Sequence, residues 1–176
     1  MKYGGRSSER ELERFAFIAL GSNLGDSGHI LERAVGRLAA FSDRPLLKSS
    51  QWRTTPVDCP PGSPVFVNAV VGLLPRADET PESLLAKLQL LEKEFGRQPK
   101  VILNEPRPLD LDLIAFGGEA RTTTQLTLPH PRAHIRRFVL EPLHEIAPGL
   151  VLPGQTKPVN ALLAELPPDP GMMKAS

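Results

Sequence analysis

The sequence predicts an α+β fold in a single domain, with helices packed on an antiparallel sheet. The length of 176 residues is typical of one domain. The predicted elements follow the order β-α-β-β-α-β, without the strict alternation of a doubly wound parallel sheet. Hydrophobic residues make up 40% of the chain and charged residues 23%, close to globular averages. We expect a polar lead over residues 1–13, the domain over 14–153 and a Pro/Gly-rich tail over 154–176.

The predicted domain begins with a strand and a helix. Residues 14–20 are a short apolar, β-prone run that Gly21 ends. Residues 28–40 carry apolar side chains at helical spacing. Asp26 or Ser27 can cap the start of this helix.

A two-stranded unit and a second helix follow. Residues 46–54 and 65–73 predict strands on either side of the loop TPVDCPPGSP, whose prolines cannot join a ladder. Such a pair of strands around a stiff loop indicates a hairpin-like unit. The next helix starts after Thr80, with a proline and an acidic residue in its first turn, and ends before Gly96.

The last predicted strand covers residues 109–116, where the sequence LDLDLIAF alternates between apolar and polar residues before two glycines. The residues expected to share its apolar face are Leu109, Leu111, Leu113 and Ala115. Residues 138–147 form a further apolar stretch that is compatible with a helix.

The opposite face of this strand carries two carboxylates, Asp110 and Asp112. Side chains two residues apart on a strand share a face, with Cα atoms about 6.5 Å apart. A divalent cation relieves the repulsion of such a pair, and oxygen-only ligands suit Mg²⁺ bound together with substrate phosphates. The same pattern also occurs on a strand whose outer face is simply solvated, so the neighbouring residues must decide between the two.

Cations surround this pair in the sequence although the net charge is nearly zero. They are Arg97, Arg107, His130, Arg132, Arg136 and Arg137. Arginine matches phosphate oxygens with a planar fork of donors. Arginines beside a dicarboxylate metal site indicate a polyphosphate site, although any one of them can equally be a solvated surface residue.

The sequence lacks the motifs of the usual P-loop and Rossmann nucleotide sites and of the RNA-recognition motif. The segment GSNLGD lies between a strand and a helix, but it is neither a GxxxxGK phosphate loop nor a GxGxxG dinucleotide fingerprint. Aromatic residues are 5% of the chain, and no strand carries the aromatic cluster of an RNA-recognition motif. As isolated residues, Phe66 and Phe138 favour a place in the core over a role as stacking platforms.

The overall charge and the single cysteine limit the partners and the compartment. Lys and Arg number 21 against 20 Asp and Glu, so the formal charge of +1 gives no general attraction for nucleic acid or anionic lipid. Cys59 has no internal disulfide partner, which suits a reducing compartment. With a polar start and no run of roughly 20 apolar residues, we expect a cytoplasmic protein without a membrane span.

Several segments in one order resemble a known family. They are FIALGSNLGD, SSQWRTTPV, FVNAVV, EFGR, PRPLDLD and LTLPHPRAHIRRFVLEPLHEIAP, over about residues 15–153. Together they are similar to the 6-hydroxymethyl-7,8-dihydropterin pyrophosphokinases of folate biosynthesis. The resemblance implies a ferredoxin-like fold, a monomer or weak homo-oligomer, and transfer of pyrophosphate from ATP to the pterin hydroxymethyl group with release of AMP.

The resemblance also implies roles for individual residues. Asp110 and Asp112 would hold two Mg²⁺ ions with ATP, and Arg97 and Arg107 would support transfer. The ATP-binding positions would be Gln89, Glu92, Thr127, His130 and Arg136. The pterin-binding positions would be Thr54, Pro56, Val57, Phe66, Asn68 and Phe138. Two aromatic faces and an amide suit a flat heteroaromatic ring on chemical grounds as well.

The chain departs from the family pattern at some loop positions, which are Pro99, Asn104, Glu105, Pro108 and Gln125. The loops at residues 58–64 and 98–106 are expected to close over ATP and exclude water.

Two other functions are compatible with the same site residues. A phosphohydrolase would use water as the acceptor, and a binding module on this scaffold would hold pterin or nucleotide without turnover.

Overall fold

The computed structural model describes residues 9–54, 62, 64–97 and 108–175. The helices are α1 (Glu9–Leu12), α2 (Ser27–Ala39), α3 (Pro81–Glu94), α4 (Arg137–Ile146) and α5 (Val159–Glu165), with a 3₁₀ turn at Ala133–Ile135. The strands are β1 (Ala16–Ser22), β2 (Leu47–Lys48), β3 (Trp52–Thr54), β4 (Phe66–Leu73), β5 (Asp110–Phe116), β6 (Arg121–Thr122), β7 (Thr127–Leu128) and β8 (Met173–Lys174). None of these helices is long and apolar enough to cross a membrane.

The main sheet is antiparallel and has the strand order β5-β1-β4-β3-β8, with β2 also paired to β4. The first four strands of this order, joined through α2 and α3, are the β-α-β-β-α-β arrangement that the sequence predicts. The α+β, ferredoxin-like fold is therefore confirmed. The strands β6 and β7 form a separate two-stranded ribbon.

Successive side chains along a strand point to opposite sides of the sheet. In the central strands both sets include buried apolar residues, so the sheet has two apolar faces. On one face Ile18 and Leu20 of β1 pack with α2 and α3, which bury Leu31 and Leu88. On the other face Phe17 packs with α1, α4 and α5. Helices cover both faces, so the sheet is the middle layer of three.

The segment after residue 153 is part of the folded structure. Val159 and Leu162 of α5 are buried in the same core cluster as Leu140 and Leu143 of α4. Further along, β8 adds to the open edge of β3, with Lys174 opposite Trp52. This part of the chain was expected to be a Pro/Gly-rich tail, and the four prolines and two glycines in it conceal its short helix and strand.

The strand expected over residues 46–54 is divided into two by a bulge. Lys48 opposes Val71 and Trp52 opposes Asn68, so three residues of one strand face two residues of β4. Ser49 lies in this interval, and its hydroxyl accepts a hydrogen bond from Val70 N–H at 2.9 Å. The extra residue interrupts the ladder and produces β2 and β3 as separate pieces.

A second bulge changes the face of one residue in β5. Phe17 opposes Ala115 but Ile18 opposes Leu113, which leaves Ile114 as the extra residue. Leu113 consequently faces α2 and α3, whereas Ala115 belongs to the core on the other face. The expectation that Ala115 shares a face with Leu113 is wrong, because alternation cannot continue through a bulge.

Both predicted helix starts are confirmed by their caps. Asp26 caps α2, with a 3.5 Å contact to the His29 N–H. Thr80 caps α3 through a reciprocal pair of bonds: its hydroxyl accepts from Ser83 N–H at 3.0 Å, and Ser83 Oγ accepts from Thr80 N–H at 2.9 Å. The box satisfies two donors that a helix start otherwise leaves without partners.

We predict that Thr80→Ala lowers the free energy of unfolding by about 1 kcal/mol, because it removes the hydroxyl acceptor of this box. Thr80→Ser keeps the hydroxyl and is the matched control. Urea unfolding monitored by circular dichroism measures both. Equal stability of Thr80→Ala and the native chain would contradict the role of the cap.

Candidate functional site

One row of residues crosses the central strands and forms the centre of the site. Gly21 of β1 lies opposite Asn68 of β4 on one side and opposite Asp110 of β5 on the other. Residues directly opposite each other in an antiparallel sheet point to the same face, and neighbouring strands are about 5 Å apart. Asp112 lies two residues further along β5 and shares the face of Asp110, as the sequence predicts, and the register places both carboxylates on the face of Asn68.

Gly21 keeps this face open between the amide and the carboxylates. A Cβ at Gly21 would lie 3.2 Å from Asn68 Oδ1 and 4.0 Å from Phe66 Cδ1. The sequence places Gly21 at the end of the first strand, whereas β1 continues through it to Ser22. Its contribution to the site follows from its partners in the sheet, and no local sequence signal reveals them.

One end of the site contains the residues expected to bind pterin. Asn68 Nδ2 donates to Thr54 Oγ1 at 2.9 Å, and both side chains are buried. Phe66 is half-buried on β4, and Phe138 lies in the first turn of α4 with 37% of its surface exposed. The Arg136 guanidinium is 5.4 Å from the centroid of the Phe138 ring. Asn68 and Phe66 therefore lie two residues apart on β4, while Phe138 and Arg136 lie at the start of α4, which packs against β4.

The other end is organised around Arg97, which follows the end of α3. Its Nη1 atom donates to Asp110 Oδ1 at 2.8 Å and also to Glu92 Oε2. The charges of these two carboxylates raise the pKa of Arg97 and outweigh the effect of its partial burial. Arg97 therefore connects the end of α3 to the carboxylate pair on β5.

Glu92 anchors this connection from a buried position in α3. Its Oε2 atom also accepts a hydrogen bond from Leu111 N–H at 2.9 Å, on the outer edge of β5. Burial raises the pKa of Glu92, although the Leu111 N–H and the charge of Arg97 oppose this effect. Both hydrogen bonds fix the orientation of Arg97 beside Asp110.

The bulge in β5 positions His130. The carbonyl of Ile114, the extra residue, accepts a hydrogen bond from His130 N–H at 2.8 Å. Nδ1 of the imidazole accepts from Arg132 N–H at 3.2 Å. A neutral ring with this acceptor carries its proton on Nε2, which is then available to donate to an anion.

The structure describes some of the remaining predicted positions but not all of them. Gln89 is exposed on α3, one turn before Glu92, and Thr127 is exposed on β7. Pro56, Val57, Arg107 and Cys59 lie outside the described residues, as do the loop residues 98–106 and most of 58–64. Pro108 is described, and its Cγ would lie 3.9 Å from a Cβ at Gly96.

The donor set at the carboxylate pair suits a hard cation. Within the described ranges no group of three or more His, Cys, Asp or Glu side chains could hold a metal ion. Asp110 and Asp112 are both half-buried and offer only carboxylate oxygens from one face of β5. Mg²⁺ is commonly held by one or two carboxylates and completes its shell with water and substrate phosphates, so these residues fit such an ion.

The fold and the site together define an enzyme that transfers phosphorus-containing groups. Asn68 and the carboxylates of Asp110 and Asp112 share one face of a ferredoxin-like sheet, and Arg97 lies beside Asp110. This combination is typical of enzymes that bind a polyphosphate together with a cation.

Comparisons with known proteins identify the family. Residues 17–148 match the family model of 7,8-dihydro-6-hydroxymethylpterin-pyrophosphokinase (HPPK). The chain is 36% identical over 153 residues to the 2-amino-4-hydroxy-6-hydroxymethyldihydropteridine pyrophosphokinase of Synechocystis sp., covering 86% of this chain and 75% of that protein. Identity to the enzyme of the same name from Methylorubrum extorquens is 38% over 154 residues, covering 87% and 94%. The chain belongs to the HPPK family and is a pyrophosphokinase of folate biosynthesis.

Solved structures share the fold. The crystal structure of wild-type Plasmodium falciparum HPPK-DHPS with pteroate superposes with a TM-score of 0.66 at 11% identity. The match covers 86% of this chain and 42% of that longer chain. Similarity at this low identity supports the ferredoxin-like architecture.

We predict that His130 titrates below its ordinary pKa of 6.5, because burial and the charges of Arg136 and Arg132 lower the pKa while Asp110 only partly opposes them. Since the unfolded chain then binds the proton first, stability contributed by neutral His130 is lost as the pH falls below about 6.5. NMR titration measures the midpoint, and His130→Gln assigns the resonance. The free energy of unfolding should fall less steeply with acidification in His130→Gln. A midpoint at or above 6.5 would contradict this description of the site.

Proposed function

We propose that the protein transfers pyrophosphate from ATP to the hydroxymethyl group of 6-hydroxymethyl-7,8-dihydropterin and releases AMP. The row of Asn68, Gly21 and Asp110 supports this proposal most directly. Two interstrand spacings, or about 10 Å, separate the backbone of the amide from that of the carboxylate. This distance suits an acceptor ring at one end and a polyphosphate at the other.

The pterin end supplies binding and orientation. Phe66 and Phe138 offer ring faces for stacking, and Asn68 offers a donor and an acceptor for the polar edge of the heterocycle. The hydrogen bond from Asn68 Nδ2 to Thr54 Oγ1 fixes the rotamer of the amide. With one N–H occupied by Thr54, the amide oxygen and the second N–H remain available to the ligand.

The transfer step requires an in-line attack on the β-phosphorus. The hydroxymethyl oxygen forms a bond to that phosphorus, and the bond from the β-phosphorus to the α,β-bridging oxygen breaks. AMP leaves with the electron pair of the broken bond. Asp112 is the residue proposed to orient the substrate hydroxyl or accept its proton.

The carboxylate end neutralises and aligns the polyphosphate. Asp110 and Asp112 are proposed to hold two Mg²⁺ ions with the ATP phosphates, and these ions supply Lewis-acid stabilisation when bound. Arg97, held by Glu92, is proposed to donate to phosphate oxygens. His130 and Arg136 would contribute a donor and a positive charge beside the nucleotide, with Arg107, Gln89 and Thr127 as the further predicted contacts.

The test of the reaction is product analysis by phosphorus NMR, with ATP and Mg²⁺ in the presence and absence of the pterin. The proposal predicts stoichiometric AMP and pterin pyrophosphate only when both substrates are present. ADP and phosphate without pterin would instead support the phosphohydrolase. Tight binding of both ligands with no turnover would support the binding module. Either result would contradict the proposed transfer.

We predict that Asp112→Ala lowers kcat/KM by at least about a hundredfold while the chain remains folded, because it removes a proposed cation ligand and the group proposed to orient the substrate hydroxyl or accept its proton. Asp112→Asn retains the volume and should be similarly impaired, since the charge is lost. The matched control is Asp78→Asn, in the exposed loop between β4 and α3. Steady-state kinetics with circular dichroism measures all three, and a near-normal rate in both Asp112 variants would contradict the assignment.

A further inference from the structure

A cluster of polar contacts joins α4 to the edge of the sheet beside the pterin end. Glu145, in the last turn of α4, accepts a hydrogen bond from Trp52 Nε1 at 2.6 Å on its Oε1 atom. Its Oε2 atom accepts from Ser50 Oγ at 2.8 Å and from Ser50 N–H at 3.3 Å. These hydrogen bonds, with the positive charge of Lys174, lower the pKa of Glu145 despite its partial burial.

The C-terminal strand closes this cluster. Lys174 of β8 lies opposite Trp52 of β3, and its Nζ atom is 5.4 Å from the centroid of the Trp52 ring and 3.8 Å from Glu145 Oε2. Ala175 N–H donates to the Gln51 carbonyl at 2.8 Å. Lys174 therefore contacts both the Trp52 ring and the Glu145 carboxylate that accepts the hydrogen bond from this ring.

Two residues of the cluster, Trp52 and Glu145, belong to the same elements as residues of the pterin end. Trp52 is opposite Asn68 in the sheet, and Thr54, which fixes the Asn68 amide, is two residues further along β3. On α4, Phe138 precedes Glu145 by seven residues, or about two turns, so the two side chains share one helix face about 10 Å apart. Glu145 thus ties the helix that presents Phe138 to the strand that presents Thr54.

We propose that Trp52, Glu145 and Lys174 form a brace that positions the two walls of the pterin site. The inference rests on the proposed function, since it concerns the site to which that function assigns the pterin. Trp52, Glu145 and Lys174 are positioning residues in this account. They act through Thr54, Asn68 and Phe138, so loosening the brace weakens pterin binding and leaves the phosphate end unchanged.

Lys174→Met tests the brace because it keeps the aliphatic stem while removing both the cation over the ring and the ion pair. We expect the Kd and KM for pterin to rise about fivefold, the effect of losing roughly 1 kcal/mol of interaction. The kcat and the KM for ATP should stay within about twofold of the native values. Lys174→Arg should restore pterin affinity, since it retains the charge at the same position.

The chain supplies both a matched control variant and a fluorescent probe for this test. Lys157→Met removes another lysine of the C-terminal segment, one that pairs with Glu165 of α5, and should leave pterin affinity unchanged. Trp52 is the single tryptophan, so its fluorescence reports directly on the brace and on pterin binding in the presence of Mg²⁺ and a nonhydrolysable ATP analogue. The Lys174→Met emission spectrum should differ from that of the native chain.

The outcomes separate the brace from the proposed function. Native pterin affinity and native Trp52 emission in Lys174→Met, and in a chain truncated after Gly171, would overturn the brace. An equal rise of KM for ATP and for pterin would also overturn it, because it would indicate a general loss of structure. Absence of pterin pyrophosphate with the native chain would contradict the proposed function instead, and the pterin titration of Lys174→Met would still decide the brace.

Discussion

The hydrogen-bond register of β1 with its two neighbours is the constraint on which the site depends. Asn68, Gly21 and Asp110 share a row only because β4 and β5 pair with β1 in this register. A shift by one residue would turn each side chain to the opposite face. With β5 shifted, the carboxylates would point toward α2 and α3, and Leu111 and Leu113 would leave the core. Burial of the apolar face thus fixes the register, and the register fixes the site.

Neighbouring elements hold further side chains beside this row through specific hydrogen bonds. The end of α3 supplies Glu92, which binds the outer edge of β5 and holds Arg97 beside Asp110. Glu92 is buried, so removal of Arg97 would leave a buried charge without its cation, a loss that commonly costs about 3–5 kcal/mol. The bulge at Ile114 supplies the carbonyl that holds the His130 backbone. A local irregularity in the sheet thereby adds a neutral imidazole to a site rich in charge.

The sequence was sufficient for the regular parts of the structure, where a physical signal recurs along the chain. Alternation in LDLDLIAF predicted both β5 and the shared face of Asp110 and Asp112, and Thr80 marked the start of α3. The two bulges had no such signal, because one extra residue depends on how the partner strand is paired. The contacts of Glu145 with Trp52 and Lys174 join residues more than 90 and about 30 positions apart, and no local pattern encodes them.

The central claim is that the pterin and the cation bind close together on one face of the sheet. Paramagnetic relaxation tests this claim most directly. Mn²⁺ replaces Mg²⁺ in the presence of a nonhydrolysable ATP analogue, and proton relaxation of the bound pterin hydroxymethyl group is measured. Strong enhancement is expected in the native chain, because a cation held by Asp110 and Asp112 would lie within about 10 Å of the pterin end. The enhancement should be lost in Asp110→Asn combined with Asp112→Asn. Bound pterin whose hydroxymethyl protons relax equally with Mn²⁺ and Mg²⁺ would contradict the account.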